Sequence, residues 1–454
     1  MSALPGVAIS FPADCAERSG PVLWWRSVCW LLLLAPFFFL SYGYANALAA
    51  SREVSTAVVF AWERHMPFWA WTIVPYWSID LLYGLSFLFC RDRQTVDRHA
   101  LRLLSAQVLA VACFIAFPLR FSFERPATEG VFGTLFDLLT GFDLPYNQAP
   151  SLHIALLVVI WLRFALGTRG VVRVVVHLWA ALIALSVLTT YQHHFIDVPT
   201  GALAGLLCVW LWPDRGPSPL RGWRWPCPPQ RVRLAGLYCA GALLVALPAA
   251  VFGGAALWLL WPAVALGMVA LIYLGPGARG FQKHDGRMGL AARWLLAPYT
   301  LGAWLNSRWW TRACRRADRV ADEVWLGRMP SAADMGEGRF AALLDLTAEL
   351  PAPRPHGAYA GLPWLDLIVP DAGALREAAE RIEALRGHGP VLVCCALGYS
   401  RSASAVAAWL LLSGRAADVG QAVAQVARAR PGVVLGAGHR AALGALLAAG
   451  GALR

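Results

Sequence analysis

Long apolar runs dominate this sequence and restrict what it can fold into. The chain has 454 residues, of which 58% are hydrophobic and only 15% are charged. Several runs reach the roughly 20 residues that a helix needs to cross a bilayer. Because backbone polar groups in lipid must be hydrogen-bonded internally, these runs must be helices. We therefore predict a multi-pass all-α membrane domain with a six-helix core plus two extra spans, at residues 22–47, 66–90, 101–118, 152–166, 171–191, 198–212, 234–252 and 255–274.

The excess of basic residues predicts the orientation of these spans. The net charge is +12, and the loops 91–102, 163–173 and 215–233 are basic. Basic loops stay on the cytoplasmic side, which predicts eight crossings of the inner (cell) membrane with both termini in the cytoplasm. No basic stripe is interleaved with exposed aromatics, so nucleic acid is not an expected partner. The ten cysteines lack metal-ligand spacing, and we expect no metal or other cofactor.

A different pattern stands near the C-terminal end, at 391–402. A β-branched apolar run leads to Cys395, five residues separate it from Arg401, and an alanine-rich helix follows from Ser402. A strand, a short loop and a helix start direct backbone N–H groups into one anion site. That site favours the thiolate form of the cysteine, the arginine fork matches phosphate oxygens, and Gly398 permits the tight backbone path. The spacing predicts a nucleophile aimed at a bound phosphate.

This segment resembles the dual-specificity branch of the cysteine-dependent phosphatases. The resemblance implies that Cys395 takes the phosphoryl group as a thiophosphate, that Arg401 binds it, and that Ser402 eases departure of the thiolate. It places Gly398 and Ser400 among the phosphate-binding residues. The family usually has His before the nucleophile and this chain has Cys394, which leaves the degree of thiolate activation open.

The reaction also needs an acid to protonate the leaving oxygen. In the resembled family this acid is an Asp some thirty residues before the cysteine. Asp366 stands 29 residues before Cys395, and Asp371 stands 24 before it. Spacing favours Asp366, while Asp371, beside Pro370, stays the alternative because its loop is more plausible.

The sequence around this segment predicts one cytosolic α/β domain at 320–454, the cysteine-phosphatase domain, because strand and helix patterns alternate. The resemblance covers about 322–454 of it. The predicted strands are 323–327, 341–346, 364–369 and 391–393, and the predicted helices are 374–385, 402–412, 418–429 and 439–447.

Polar residues at three span ends form a second candidate site. Arg120 and Arg125 follow the third span, His153 opens the fourth, and His193 and Asp197 join the fifth to the sixth. One His can attack phosphorus while Asp holds it, the other can protonate the leaving oxygen, and the arginines can neutralise the developing charge. The alternative is that the histidines only cap helices, although polar clusters at a membrane edge are usually functional.

These residues resemble the type-2 phosphatidic acid phosphatase superfamily. The resemblance implies a six-span core, with a site made of His193 as nucleophile, Asp197 as its partner, His153 as acid, and Ser151 and Arg125 on the phosphate.

Three motif positions depart from that superfamily. Pro118 replaces the usual lysine, with Arg120 as its candidate substitute, and Leu152 and Val187 replace the usual glycine and arginine. These losses resemble the branch that transfers phospho-headgroups, such as the sphingomyelin and inositol-phosphoceramide synthases. Hydrolysis and transfer therefore both stay open at this site.

These patterns divide the chain into four predicted segments. They are a membrane domain (1–213), a proline-rich linker with two additional spans (214–275), a joint (276–319) and the phosphatase-like domain (320–454). The joint mixes arginines with four tryptophans, which is typical of a segment lying on a membrane surface.

The leading hypothesis is a bifunctional membrane phosphatase of phospholipid metabolism. A histidine-dependent lipid phosphatase or phosphotransferase site faces outward, and a cysteine-dependent site in the cytosol acts on a lipid phosphomonoester. The expected partners are phospholipid substrates and the bilayer, and the oligomeric state is open. The alternative is a lipid-sensing receptor whose cytosolic domain dephosphorylates tyrosine, serine or threonine in proteins.

Overall fold

Helices form the regular structure of the described residues in the first of two units. The computed structural model describes residues 21–221, 223, 227–336, 338–353 and 357–450. The chain divides into Met1–Ser218 and Pro219–Arg454. Within its described residues the first unit contains α1 (Pro21–Ser51), α2 (Ile73–Leu85), α3 (Arg93–Ala116), α4 (Gly130–Thr140), α5 (Leu152–Gly167), α6 (Gly170–Thr189) and α7 (Asp197–Leu211), with 3-10 turns at Ala61–His65, Ala70–Thr72 and Ser86–Phe89.

Two glycines on α7 let it lie directly against α5. A Cβ on Gly201 would stand 2.5 Å from the carbonyl oxygen of Ser151, and one on Gly205 would stand 2.6 Å from that of Ala155. Small residues spaced by four allow such close approach of apolar helices. The packing brings together the N-terminal ends of α5 and α7, where the backbone N–H of Ser151 donates to the carbonyl of Asp197 at 3.1 Å.

The second unit starts with two apolar helices, α8 (Pro229–Phe252) and α9 (Leu260–Leu274, preceded by a 3-10 turn at Gly254–Leu259). A 3-10 turn (Gly277–Phe281), the hairpin of β1 (Lys283–His284) and β2 (Arg287–Met288), and the helices α10 (Leu290–Leu295) and α11 (Ala297–Trp310) follow. The rest of the unit is β3 (Ala317–Ala321), β4 (Val324–Arg328), α12 (Ala332–Gly336), β5 (Ala342–Thr347), β6 (Ala358–Trp364), α13 (Ala372–Arg386), β7 (Val391–Cys395), α14 (Arg401–Leu412), α15 (Val419–Ala429) and α16 (Ala437–Ala448).

A mixed five-stranded sheet organises this part of the chain. Its strand order is β3-β4-β7-β5-β6, with β3 antiparallel to β4 and the remaining pairs parallel. The strand β7 is central, and all five of its residues are buried, as expected for a parallel strand covered on both faces. The carboxyl end of a central parallel strand is where ligands bind in such sheets.

The prediction of long apolar helices together with a C-terminal α/β domain is confirmed. Among the described residues six helical segments are long and apolar enough to cross a membrane: Leu23–Ser51, Ala70–Phe89, Arg93–Ala116, Gly170–Thr189, Pro229–Phe252 and Gly254–Leu274. The other two predicted spans are helices of 16 and 15 residues, α5 and α7. The number of crossings and the orientation stay predictions, and both chain termini lie outside the described residues.

Two elements differ from the sequence-based expectation. The strand predicted at 364–369 is wrong, because the edge strand is β6 and the chain turns away after Trp364. The helix α4 lies in a segment that the sequence presents only as a loop between spans. In both cases neighbouring elements decide the backbone conformation more strongly than local composition does.

Candidate active sites

The loop between β7 and α14 curls around one sulfur atom. Cys395 is the last residue of β7, and its Sγ accepts hydrogen bonds from the backbone N–H of Gly398 and from the hydroxyl of Ser402, each at 3.2 Å. Gly398 has φ +78°, and a Cβ there would lie 2.6 Å from the backbone of Gly327. Only glycine fits this position. Two donors aimed at one buried sulfur stabilise negative charge on it.

The guanidinium of Arg401 faces two carboxylates beside that loop. It is 2% exposed and makes two parallel hydrogen bonds to Glu349, at 2.6 and 2.9 Å. A third bond reaches the carbonyl of Trp364 at 2.9 Å, and Nη2 lies 3.0 Å from Asp366. The fork is thereby held in one orientation, as recognition of a planar group of oxygens requires.

Glu349 is a site residue that the sequence analysis missed. It is 2% exposed. Burial raises the pKa of its carboxyl, but the charge and hydrogen bonds of Arg401 outweigh burial, so the pKa is lowered overall. The residue lies 52 positions from its partner, and no local pattern in the sequence links the two.

The structure brings Asp366, rather than Asp371, to the arginine. Asp366 lies on the turn after β6, and burial raises the pKa of its carboxyl despite the opposing charge of Arg401. A raised pKa favours the protonated form of a carboxylic acid, which is the form that can donate a proton. Asp371 instead caps α13, where its carboxylate accepts the backbone N–H of Ala374 at 2.8 Å.

The remaining predicted residues of this loop have other contacts. The hydroxyl of Ser400 lies 2.9 Å from Nε2 of His439 on α16, and partial burial lowers the pKa of that histidine. Cys394 is fully buried in a second apolar cluster together with Leu343 and Leu392. Burial raises the pKa of its thiol well above the usual range, so it stays a neutral thiol beside the nucleophile.

A polar cavity of about 440 Å³ lies among the loops of the first unit. Its lining includes three residues predicted from the sequence, Arg120, Arg125 and His193. Nδ1 of His193 lies 3.2 Å from Oδ2 of Asp197, and both residues are buried. The carboxylate can therefore fix the ring orientation and leave Nε2 for chemistry.

The second predicted histidine borders a separate, mostly apolar cavity of about 170 Å³. His153 stacks on Tyr76 with ring centroids 4.2 Å apart, and its Nε2 has no hydrogen-bond partner among the described residues. His193 lines this cavity as well as the polar one. Asp143, which the sequence analysis missed, also lines both cavities. His193 and Asp143 therefore each border both cavities.

Ser151 and Arg125, two further residues predicted for this site, make hydrogen bonds to the protein backbone. The hydroxyl of Ser151 caps α5 by accepting the backbone N–H of Ile154 at 3.3 Å, and its side chain is fully buried. Arg125 donates from Nε to the carbonyl of Thr190 at 3.2 Å and lies over the ring of Phe136 at 4.7 Å, while it still borders the polar cavity.

Both ring nitrogens of His194, the residue next to the candidate nucleophile His193, have hydrogen-bond partners. Its Nδ1 lies 3.2 Å from Glu63, and its Nε2 accepts the backbone N–H of Ser122 at 3.1 Å. Burial raises the pKa of Glu63, but hydrogen bonds from His194 and from two backbone amides outweigh it, so the pKa is lowered. Both ring nitrogens are occupied, which leaves His194 a packing role between loops.

The structure also bears on metal chemistry. Across the described ranges, no group of three or more His, Cys, Asp or Glu side chains is arranged to hold a metal ion.

Comparison with solved structures gives a likeness for the C-terminal part alone. Human DUSP28 is 26% identical, with 30% of this chain and 95% of that chain covered and a TM-score of 0.28. The active form of Tk-PTP is 26% identical, with 29% and 97% covered and a TM-score of 0.27. PTPMT1 in complex with PI(5)P is 18% identical, with 29% and 94% covered and a TM-score of 0.25.

The C-terminal part, about 30% of the chain, therefore resembles dual-specificity and related cysteine phosphatases. No protein-family model and no curated protein sequence matches the chain.

Proposed function

We propose that this protein is a membrane-embedded phosphatase of phospholipid metabolism whose cysteine site hydrolyses a lipid phosphomonoester. The observation that carries the proposal is the arrangement around Cys395, where a backbone amide and a hydroxyl donate to the sulfur. Beside it, a buried arginine fork is held by a glutamate. A sulfur with two donors next to a fixed guanidinium suits attack on a phosphate.

The reaction has two steps. The thiolate of Cys395 attacks phosphorus and forms a thiophosphate, while the P–O bond breaks and Asp366 gives its proton to the leaving alkoxide. Water then attacks the thiophosphate, the same carboxylate accepts a proton from that water, and the sulfur leaves as a thiolate. Arg401 neutralises the charge on the phosphoryl oxygens, and Ser402 donates to the departing sulfur.

A lipid substrate is favoured because unit 2 itself contains apolar helices. The helices α8 and α9 belong to the long apolar segments. The helix α11 carries exposed Trp304, Trp309 and Trp310, and its Ser307 hydroxyl donates to the carbonyl of Ala396 in the cysteine loop. Exposed tryptophans are typical of a helix at a membrane interface. A site hydrogen-bonded to such a helix would lie close to the membrane surface, where the phosphate esters of lipids are concentrated.

The test uses the full chain reconstituted in phospholipid nanodiscs. Phosphate release is measured from lipid phosphomonoesters with phosphatidylglycerophosphate-like and phosphoinositide-like heads, and from phosphotyrosine peptides. We expect hydrolysis of a lipid phosphate and its loss in Cys395→Ser. Efficient hydrolysis of the peptides with none of the lipids would overturn the lipid assignment and favour the receptor hypothesis.

We propose a second phosphoryl-transfer site in the first unit, with His193 as nucleophile, Asp197 as its positioning residue and His153 as the acid. The supporting observation is that His193 borders both a cavity lined by Arg120 and Arg125 and a cavity lined by His153. Water would make this site a hydrolase, and a lipid alcohol would make it a transferase. Protein incubated with a ³²P-labelled phospholipid and quenched in alkaline SDS, in which a phosphohistidine is stable, tests the intermediate, and absence of label sensitive to His193→Ala contradicts it.

We further propose that this site faces outward and the cysteine site faces the cytosol of a cell bounded by an inner membrane. The supporting observation is the basic composition of the segments 91–102, 163–173 and 215–233, which join predicted spans although helices extend into each of them. Labelling of single cysteines introduced at Gln192 and Ser400 from each side tests this, and reaction of both from the same side would overturn it.

A further inference from the structure

The second unit contains an open groove to which the proposed phosphatase reaction, as written above, assigns no role. Its volume is about 360 Å³. Pro262 and Leu266 from α9, Tyr238 from α8, and Tyr299 and Asn306 from α11 line its walls. The groove is therefore built by two apolar helices and one helix that carries exposed tryptophans, all in the same unit as the cysteine site.

Asp366, the candidate general acid, also lines the groove. It lies 3.0 Å from the guanidinium of Arg401. A molecule bound in the groove therefore lies beside the carboxyl group that the proposed reaction uses to protonate the leaving oxygen.

The apolar helices also hold the turn that carries Asp366. The hydroxyl of Tyr273, on α9, donates to the carbonyl of Asp366 at 2.9 Å. The side-chain amide of Gln230, on α8, donates to the carbonyl of Leu367 at 2.6 Å. Leu367 has φ +59°, a conformation that a leucine rarely adopts without outside support. The helices that wall the groove thereby also fix the position of the acid.

We propose that this groove binds the glycerol and first acyl methylenes of the lipid phosphomonoester and makes the phosphatase selective for lipid over soluble phosphates. The inference rests on the proposed function of the cysteine site. The volume is near the lower limit of small-molecule pockets, roughly 300 Å³, so the rest of each acyl chain stays in the bilayer. Leu266 and Pro262 offer apolar contact, and the amide of Asn306 offers hydrogen bonds to ester or glycerol oxygens.

Gly302 on α11 gives a way to fill the groove without disturbing its frame. It belongs to the lining, and a Cβ added there meets no atom within 4 Å. We expect Gly302→Leu to lower the ratio of kcat/KM for a phosphatidylglycerophosphate in nanodiscs to kcat/KM for 4-methylumbelliferyl phosphate by about tenfold or more. Gly236→Leu on α8 is the matched control, because its Cβ also meets open space and it does not line the groove.

A second measurement keeps the inference testable should Gly302→Leu fold poorly. Full-length Cys395→Ser in nanodiscs is irradiated with a phosphatidylglycerophosphate that carries a diazirine on the first acyl methylenes, and the labelled peptides are mapped. We expect label on α9 and α11 around Leu266 and Asn306. Label elsewhere only, or a ratio for Gly302→Leu equal to that for Gly236→Leu, would overturn the groove while lipid hydrolysis stands. Wild-type protein inert on lipid phosphates would overturn the proposed function itself.

Discussion

The two candidate sites position their nucleophiles in different ways. Cys395 is held by the backbone N–H of Gly398 and by Ser402, within eight consecutive residues that include a strand end and a helix start. His193 is held by a side chain, Asp197, and its cavities are lined by segments spread from α1 to the loop between α6 and α7. A site made by local backbone geometry survives changes elsewhere in the sequence, whereas a site made of side chains from many segments depends on the packing of all of them.

The largest expected effect is the loss of activity at the cysteine site. Cys395→Ser should reduce phosphate release from the cysteine site by about 10³-fold or more, because a hydroxyl without a base is a poor nucleophile. Steady-state assays on the full chain in nanodiscs measure this loss. Cys394→Ala is the matched control, since Cys394 lies in a separate apolar cluster, and an equal loss in that variant would contradict the assignment.

The corresponding change in the first unit is His193→Ala. We expect it to lower headgroup turnover by the first unit by about 10³-fold and to leave hydrolysis by the cysteine site at the wild-type rate. Radiolabelled lipid turnover in the Cys395→Ser background measures the first unit by itself, and phosphate release by His193→Ala with Cys395 intact measures the cysteine site.

The neighbouring histidine provides the control for that experiment. His194→Ala removes one hydrogen-bond partner of buried Glu63, so we expect a loss of roughly 1–3 kcal/mol of stability rather than a specific loss of chemistry. Thermal unfolding in detergent measures it. Normal turnover by His193→Ala, or a labelled phosphohistidine that only His194→Ala removes, would contradict the assignment of roles.

A smaller effect tests the general acid through pH. Because the pKa of Asp366 is raised, the wild-type rate should fall as pH rises through that pKa and the acid loses its proton. Asp366→Asn should lower kcat for an alkyl phosphate by roughly 10²–10³-fold and abolish this alkaline fall. The reduction should be smaller for an aryl phosphate, whose leaving oxygen needs less protonation. The kcat–pH profile is the measurement.

Asp371→Ala distinguishes the two candidate acids. It removes the cap of α13, which should cost about 1 kcal/mol of stability and leave the pH profile unchanged. If instead this variant removes the alkaline fall, Asp371 is the acid and Asp366 only a partner of the arginine.

The smallest expected loss of activity concerns the carboxylate that supports Arg401. Glu349→Gln should raise KM by about tenfold, because the fork loses a charged partner that orients it, and should cost roughly 3 kcal/mol of stability at neutral pH. The folded-state pKa of Glu349 is lowered, so its stabilisation is present above its unfolded pKa and is lost as pH falls through the folded pKa. Denaturation curves of the two proteins should therefore converge in acid, and a constant difference would contradict this account.

The part of the fold that the sequence predicts best is the part with strong local patterns. The apolar runs predict long helices, and the β-branched run, glycine and alanine-rich segment at 391–412 predict β7, the loop and α14. The strand at 364–369 fails because its alternating apolar residues lie just past β6, whose residues Ala358–Trp364 include Gly361 and Pro363 and give a weak strand pattern.

In the candidate sites, too, local sequence patterns predict some residues and miss those whose contacts are distant in sequence. Spacing and the family resemblance predict Cys395, Arg401 and Asp366 as site residues; in the structure Arg401 lies beside Asp366, and the helix that Arg401 opens carries Ser402, which donates to Cys395. Glu349 and Asp143 could not be identified, because each meets its site through contacts between segments far apart in sequence. Local propensity carries no information about such long-range pairs.

The salt bridge between Lys283 and Asp345 has a consequence for how this protein can work. The lysine lies in the hairpin that follows α9, and the aspartate is on β5, with Nζ and Oδ2 2.5 Å apart and both side chains buried. A fragment that begins between them would keep Asp345 without Lys283 and so carry a buried charge without compensation, which costs several kcal/mol. The hairpin after α9 therefore belongs to the folded catalytic part, which begins close to the end of an apolar helix. Under the proposed function, the rate should scale with the mole fraction of substrate in the bilayer rather than with its bulk concentration.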